Sequence, residues 1–314
     1  MNDLSFASTR SSQLAIVRPR LATRRLVRQA LVFVALGMSA WQAAATDAGS
    51  LRAKHTELRE QLRNNDFQRA LHIDSADSAD VLRGDVYAVL DHPFATVSGA
   101  LKEPAQWCDF LILPFNTKYC HAVNGQAGPA LMVRIGRKFD QSLQDAHRID
   151  FSWRAVAATG DYFENRLDAK SGPMGTRDYR ISVAAVPLES GRTFLHLSYS
   201  YGFGMAGRMA MQGYLATVGA NKVGFTATGR DGNGQPQLIG GVRGAVERNA
   251  MRYYLAIDSY LDALAAPEAQ RVEKRIQGWF DATERYPKQL REMTRPVYVA
   301  MKRQEWERQQ TAIE

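Results

Sequence analysis

The chain has 314 residues, of which 45 % are hydrophobic and 23 % charged, with a formal net charge of +8. That composition excludes a wholly disordered, collagen-like or multi-span membrane protein. The length fits one large domain or two small ones.

The charge is unevenly placed. The first 45 residues hold six arginines, at positions 10, 18, 20, 24, 25 and 28, against one acid, Asp3. Arg24, Arg25 and Arg28 lead into an apolar run over 30–40 and the small residues Ala43, Ala44 and Ala45. This order of charge, apolar run and small-residue site is that of a secretory signal, and it predicts cleavage after Ala45 and export to the periplasm. The run is shorter than the roughly 20 residues a membrane span requires; an uncleaved anchor is the competing reading. Arg24-Arg25 also partly resembles a twin-arginine signal. Beyond Ala45 the chain carries 34 basic and 31 acidic residues, which removes the electrostatic case for a nucleic-acid partner.

Cys108 and Cys120 are the two cysteines, both in the aromatic segment 107–120. In an exported protein they are expected to form a disulfide, with two buried thiols as the alternative. His121 beside Cys120 is too little for a metal site, and no metal is expected.

In chain order, 51–64 reads as a charged helix with Leu51, Leu58 and Leu62 on one stripe, packing on the outside. From about residue 70 the period becomes two: strands are expected around Leu71 and Ile73, and around Val81, Val86, Ala88 and Leu90, on either side of a loop at 74–80. Its aspartates suit a solvated acidic turn better than a calcium loop, because EF-hand spacing is lacking. Phe94, Val97 and Leu101 mark a helix over 94–101, and a shorter piece follows at 107–111.

Strands are then expected at 117–123, 130–137, 149–158, 162–169, 178–188 and 193–201. Ile149, Phe151, Trp153 and Ala155 alternate with polar residues; so do Tyr179, Ile181, Val183 and Ala185, and Leu195, Leu197, Tyr199, Tyr201 and Phe203. Ser190-Gly191 signals a hairpin turn. The pattern is an antiparallel sheet with one apolar face that needs cover. A Met-, Gly- and Ala-rich helix is expected at 205–218. A hairpin follows, its strands at 222–228 and 237–239 flanking Asp231-Gly-Asn-Gly234. Residues 242–264 form the strongest helical pattern, with Val246, Ala250, Tyr253, Tyr254, Ile257, Leu261 and Leu264 on one face. The remaining residues read as charged helix with a narrow stripe of Val272, Ile276, Trp279 and Phe280, a peripheral tail docking on the domain or on a partner.

This order of elements, with Gly84-Asp-Val-Tyr-Ala-Val-Leu-Asp-His-Pro-Phe94 before the first helix of the pair, resembles the START-like or Bet v1-like helix-grip (SRPBCC) superfamily over residues 70–265. The resemblance implies an α+β fold in which a curved antiparallel sheet grips a long C-terminal helix, with extra helices at both ends. The divisions are then a signal at 1–45, an N-terminal helix at 46–69, the helix-grip domain at 70–266 and a charged helical tail at 267–314. The segment 205–240 departs from the pattern.

The resemblance further implies a cavity for an apolar ligand between sheet and helix. Its candidate lining is Trp153, Tyr179, Tyr199, Tyr201 and Phe203 on strands and Tyr253, Tyr254 and Ile257 on the helix. Tyrosine suits such a wall because its ring is apolar while its hydroxyl orients a head group. Met205 and Met209, with Met211, are candidates for an adaptable lid. The expected partner is a hydrophobic small molecule or lipid, with transient membrane contact and a protein partner at the tail as further possibilities.

Two other chemistries have a sequence signal. Gly202-Phe-Gly204-Met-Ala-Gly207 fits G-x-G-x-x-G between a strand and a helix, but the strand alternates with serines and no acid ends a second strand at dinucleotide-site spacing, so no cofactor is expected. His196, Asp150, Arg154, Glu164, Arg166 and Arg180 occupy polar strand positions and would serve an enzyme reading if they converged. Exposed cross-strand pairing is the plainer expectation, and no catalytic residue is singled out. Three functions follow: a ligand-binding protein, an enzyme of cyclase or hydratase type on the same fold, and an envelope interaction protein acting through its tail.

Overall fold

Period-two alternation over eight segments builds one antiparallel sheet. A computed structural model describes residues 48–78, 80–125, 127–217 and 221–311; the predicted signal and its cleavage site lie outside them. The strands are β1 (Leu71–Asp77), β2 (Val81–Leu90), β3 (Thr117–Gly125), β4 (Gly128–Ile135), β5 (His147–Ala158), β6 (Phe163–Ser171), β7 (Thr176–Pro187) and β8 (Thr193–Phe203). Their spatial order is β1-β2-β8-β7-β6-β5-β4-β3. After the β1–β2 hairpin, α3 (Phe94–Leu101) and α4 (Pro104–Leu111) carry the chain to the far edge. A meander then returns it, so that β8 closes against β2.

The expected loop at 74–80 is shorter than its composition suggests. β1 continues to Asp77 because Asp74, Ser75 and Asp77 pair in register with Asp85, Gly84 and Leu82. Its acids face basic side chains: Asp74 lies 3.2 Å from His72, Asp77 3.3 Å from Arg208 and Asp80 3.5 Å from Arg177. On β5 the expected alternation breaks at a bulge between Ala155 and Ala157. An extra residue there swaps the faces, which leaves Ala155 exposed and turns Ala157 toward the outer face.

The long helix α6 (Gly241–Ala263) crosses the apolar face. It approaches β2 so closely that a Cβ on Gly84 would stand 3.1 Å from the Val246 carbonyl oxygen and 3.3 Å from the Ala250 Cβ. Glycine here is what seats the helix. Glu247, fully buried, accepts hydrogen bonds from Ser75 Oγ at 2.6 Å, Thr226 Oγ1 at 2.8 Å, and the Phe225 and Thr226 backbone N–H groups at 2.6 and 3.0 Å. One carboxylate therefore ties β1 and the segment after α5 (Met205–Ala216) to the gripping helix. Downstream, β9 (Ala227–Arg230) and β10 (Pro236–Leu238) form the expected hairpin. The first helical stripe becomes two pieces, α1 (Ala48–Glu57) and α2 (Arg59–Arg63). They cover part of the outer face, where Leu51, Leu58 and Leu62 pack with Tyr87, Tyr162 and Phe194.

The expectation of a peripheral tail is corrected. Thr46–Glu314 is one compact unit, and α7 (Glu268–Glu284), α8 (Pro287–Leu290) and α9 (Arg295–Gln309) belong to its core. Trp279, Leu290 and Tyr298 are wholly buried. Trp279 Nε1 donates to the Arg252 carbonyl at 3.0 Å, and the Tyr298 hydroxyl to the Leu113 carbonyl at 2.9 Å. Buried charge adds to this anchoring: Glu305 on α9 receives Lys118 Nζ at 2.9 Å and Lys302 Nζ at 2.6 Å, with all three side chains inside the protein. The sequence disguised this because its charges read as a solvated face, whereas here they pair with one another. The disulfide Cys108–Cys120 joins α4 to β3 with a Cα–Cα distance of 5.2 Å. Among the described residues no helix is long and apolar enough to cross a membrane.

Candidate functional site

Between the apolar face of the sheet and α6 lies a cavity of about 180 Å³. Side-chain alternation supplies one wall: Val133 and Ile135 from β4, Ile149 and Phe151 from β5, Tyr179 and Ile181 from β7, and Tyr199 and Tyr201 from β8. Asn249 and Tyr253, one helical turn apart on α6, form the opposite wall. Leu111, Asn116 and Thr117 close one end, and the turn Pro173-Met174 with Gly207 and Met211 of α5 closes the other. Met174 has a φ of 57° and is 66 % exposed. α5 approaches that turn through Gly207, where a Cβ would lie 3.5 Å from the Met174 carbonyl oxygen.

The aromatic wall is continuous. Tyr179 and Tyr201 stack with centroids 5.3 Å apart, Tyr199 and Tyr253 meet at 5.3 Å, and Phe151 meets Tyr179 edge-on at 6.2 Å. Two hydroxyls are engaged within the protein: Tyr179 with Thr176 Oγ1 at 2.7 Å, and Tyr199 with the Asn249 side chain. Burial raises the pKa of all four tyrosines above the ordinary phenol value, because a phenolate would lose its hydration. Among the described residues the wall is thus polar in places and carries no charge.

Of the ten candidate lining residues, the structure gathers Tyr179, Tyr199, Tyr201 and Tyr253 around this cavity. Phe203 and Ile257 are buried in the surrounding core, and Trp153 is partly buried against it. Tyr254 lies on another face of α6 from its neighbour Tyr253, with the Arg69 guanidinium 5.2 Å from its ring centroid. Of the candidate lid methionines, Met205 and Met209 are 83 % and 68 % exposed and do not line the cavity, whereas Met211 does. The first two are four residues apart, hence on the same helical face, and that face is turned to solvent. Asn249 lines the cavity without being among the sequence candidates, although its four-residue spacing from Tyr253 is a usable signal. Asn116 and Thr117 had none, because a loop and a strand start are brought there by the chain reversal at the far edge.

The polar positions do not converge. Arg148 donates to Asp150 at 2.9 Å, Arg166 to Glu164 at 2.8 Å, and Arg154 and Arg180 share Asp168 at 3.4 and 3.1 Å. His196 sits on β8, three strand spacings from Asp150 on β5, which is roughly 14 Å. On the outer face, away from the cavity, its Nε2 lies 2.8 Å from Asp85 Oδ1, while Arg83 Nε approaches Asp85 Oδ2 at 2.7 Å. Tyr87 stacks on the imidazole at 4.3 Å. Burial pushes the Asp85 carboxyl up, but hydrogen bonds and charge from His196 and Arg83 outweigh it and hold the group below the usual carboxylate range. The glycine motif is also accounted for without a nucleotide: β8 pairs antiparallel with both β2 and β7, and Gly207 serves the approach of α5 to the 173–175 turn.

No family model matches the chain, and no curated protein matches it. Solved structures do. Norcoclaurine synthase from Thalictrum flavum, as a point mutant with a transition-state analogue, is 12 % identical, with a TM-score of 0.31, over 46 % of this chain and 93 % of that one. Human StAR-related lipid transfer protein 5 is 8 % identical, with a TM-score of 0.28, over 50 % and 83 %. Ara h 8.0201 is 10 % identical, with a TM-score of 0.29, over 48 % and 91 %. These are START-domain and Bet v1-like structures, the kind that the order of elements resembles. The α+β helix-grip architecture of this chain stands on its own strand order and on the seating of α6.

Proposed function

We propose that this protein is exported to the periplasm and binds a hydrophobic small molecule in the cavity between the sheet and α6. The observation that carries the binding reading is the cavity itself, apolar with a few convergent polar groups, as ligand sites are. Export rests on the arginine-rich leader, and the disulfide suits an oxidising compartment. Binding without transformation is favoured over catalysis because the described residues that line the cavity are uncharged. Acid–base work is best done by a group whose pKa lies near the operating pH, and the tyrosines are shifted away from it. His196 and Asp85 cannot serve the cavity, since they lie across the sheet from it.

Met174 at the cavity and Met205 and Met209 on α5 are exposed apolar side chains. This favours transient contact with a membrane surface during ligand exchange. A partner held by the tail is less favoured, because its apolar stripe is consumed inside the unit.

The test is mass spectrometry of organic extracts from protein purified out of the periplasmic fraction, with N-terminal sequencing. A co-purifying apolar compound and an N-terminus at Thr46 are expected. Empty extracts, together with a crystal structure whose cavity is filled by side chains, would overturn the binding reading. A full-length cytoplasmic chain with reduced cysteines would overturn export.

A further inference from the structure

We infer that the cavity takes an uncharged, single-ring aromatic compound carrying a hydroxyl or carbonyl oxygen, a molecule of the phenol class, and not an acyl chain. This deepens the binding reading and rests on it. Three observations converge. The first is size: the cavity measures about 180 Å³, a little above the roughly 150 Å³ that holds a benzene ring and below the roughly 300 Å³ at which drug-sized sites begin.

The second is shape of the wall. Phe151, Tyr179 and Tyr201 present ring faces and edges to one space, which suits offset or edge-on contact with one more ring. A flexible chain would gain no such geometry and would lose its rotamer freedom.

The third is charge. Among the described residues no Asp, Glu, His, Lys or Arg lines the cavity, so a carboxylate or phosphate inside it would lose its hydration without a counter-ion there, at a cost that disfavours it strongly. Neutral partners are supplied instead. The hydroxyls of Tyr179 and Tyr199 are engaged with Thr176 and Asn249. Those of Tyr201 and Tyr253 show no hydrogen bond among the described residues and are the groups left to orient a ligand oxygen.

The experiment is calorimetric titration of the processed protein, cleared of carried-over ligand, with p-cresol, toluene, benzoate and palmitate, repeated on Tyr201→Phe/Tyr253→Phe. p-Cresol should bind at least about tenfold more tightly than benzoate, which has similar size but carries charge. The double variant should lose about tenfold for p-cresol while toluene binding is unchanged. An unchanged thermal midpoint shows that the variant is folded, and the wild-type ranking stands as a test without it. Tight binding of palmitate with none of p-cresol would overturn this inference and leave the binding reading intact. Failure of all four probes, with empty organic extracts, would overturn both.

Discussion

Lys118 Nζ on β3 lies 2.9 Å from Glu305 Oε1 on α9, with both side chains wholly buried. This contact holds residues 187 positions apart and fastens the last helix to the edge strand of the sheet. Lys118 also donates to the Phe115 carbonyl, and Lys302 to the Pro114 and Thr117 carbonyls. The ammonium groups are thereby solvated by the backbone of the turn before β3.

Glu305→Ala should lower unfolding free energy by about 3–5 kcal/mol, because it strands two buried cations. Replacing all three charges at once, as Lys118→Met, Lys302→Met and Glu305→Leu, should recover most of that loss. Urea denaturation checks both. A loss below about 1 kcal/mol for the single variant would show the tail to be docked by its apolar residues alone.

The triad also sets a pH dependence. Burial lowers the Lys302 ammonium to about 8, whereas a free lysine titrates near 10.4. Between those values the unfolded chain holds a proton that the folded chain has released, so stability rises with pH, by up to about 1.4 kcal/mol per pH unit. Below pH 8 both states are protonated and the buried charge is at its most costly. Urea midpoints at pH 7.0, 7.75 and 8.5, well below the range in which tyrosines ionise, should climb in the natural protein and lie flat in Lys302→Met.

Gly84→Val should unseat α6. The added Cβ would already stand 3.1 Å from a backbone oxygen, and the two further methyl groups have nowhere to go, which costs about 1–3 kcal/mol or more. Faster proteolysis at the α6 flanks, with a lowered thermal midpoint, is the expected result. Gly229→Val, on exposed strand β9 where an added Cβ meets nothing closer than 4.0 Å, controls for β-branching on a strand.

Cys108→Ser/Cys120→Ser should cost about 2–3 kcal/mol, the scale expected for a loop of this length. The bridge positions α4, whose Leu111 closes one end of the cavity. Reduction should therefore weaken ligand binding before it unfolds the chain, and the two effects separate in a titration run with and without dithiothreitol.

Met205→Asp/Met209→Asp should abolish association with lipid vesicles while leaving stability within about 0.5 kcal/mol, since both side chains face solvent. Flotation assays with neutral and anionic vesicles read the first effect. Unchanged flotation would remove the membrane-contact reading of these side chains.

Much of this architecture was legible from local pattern. Alternation at Ile149 to Trp153, Tyr179 to Ala185 and Leu195 to Phe203 determined the sheet and which of its faces is apolar, because side chains on a strand have a period of two. The 3.6-residue recurrence from Val246 to Leu261 determined the gripping helix, and the order of these elements determined the fold class.

Local pattern could not place residues that depend on partners far along the chain. Whether Lys118, Lys302 and Glu305 belong to a solvated surface or to a buried triad depends on the docking of α9 against β3, which no spacing encodes. Tyr253 and Tyr254 are neighbours in sequence, yet one faces the cavity and the other Arg69, because successive helical residues point about 100° apart and α6 is enclosed on several sides. The cavity itself is a space left between layers. Its position and volume follow from how closely Gly84 lets the helix approach and how α5 caps the end, and only the tertiary structure decides those distances.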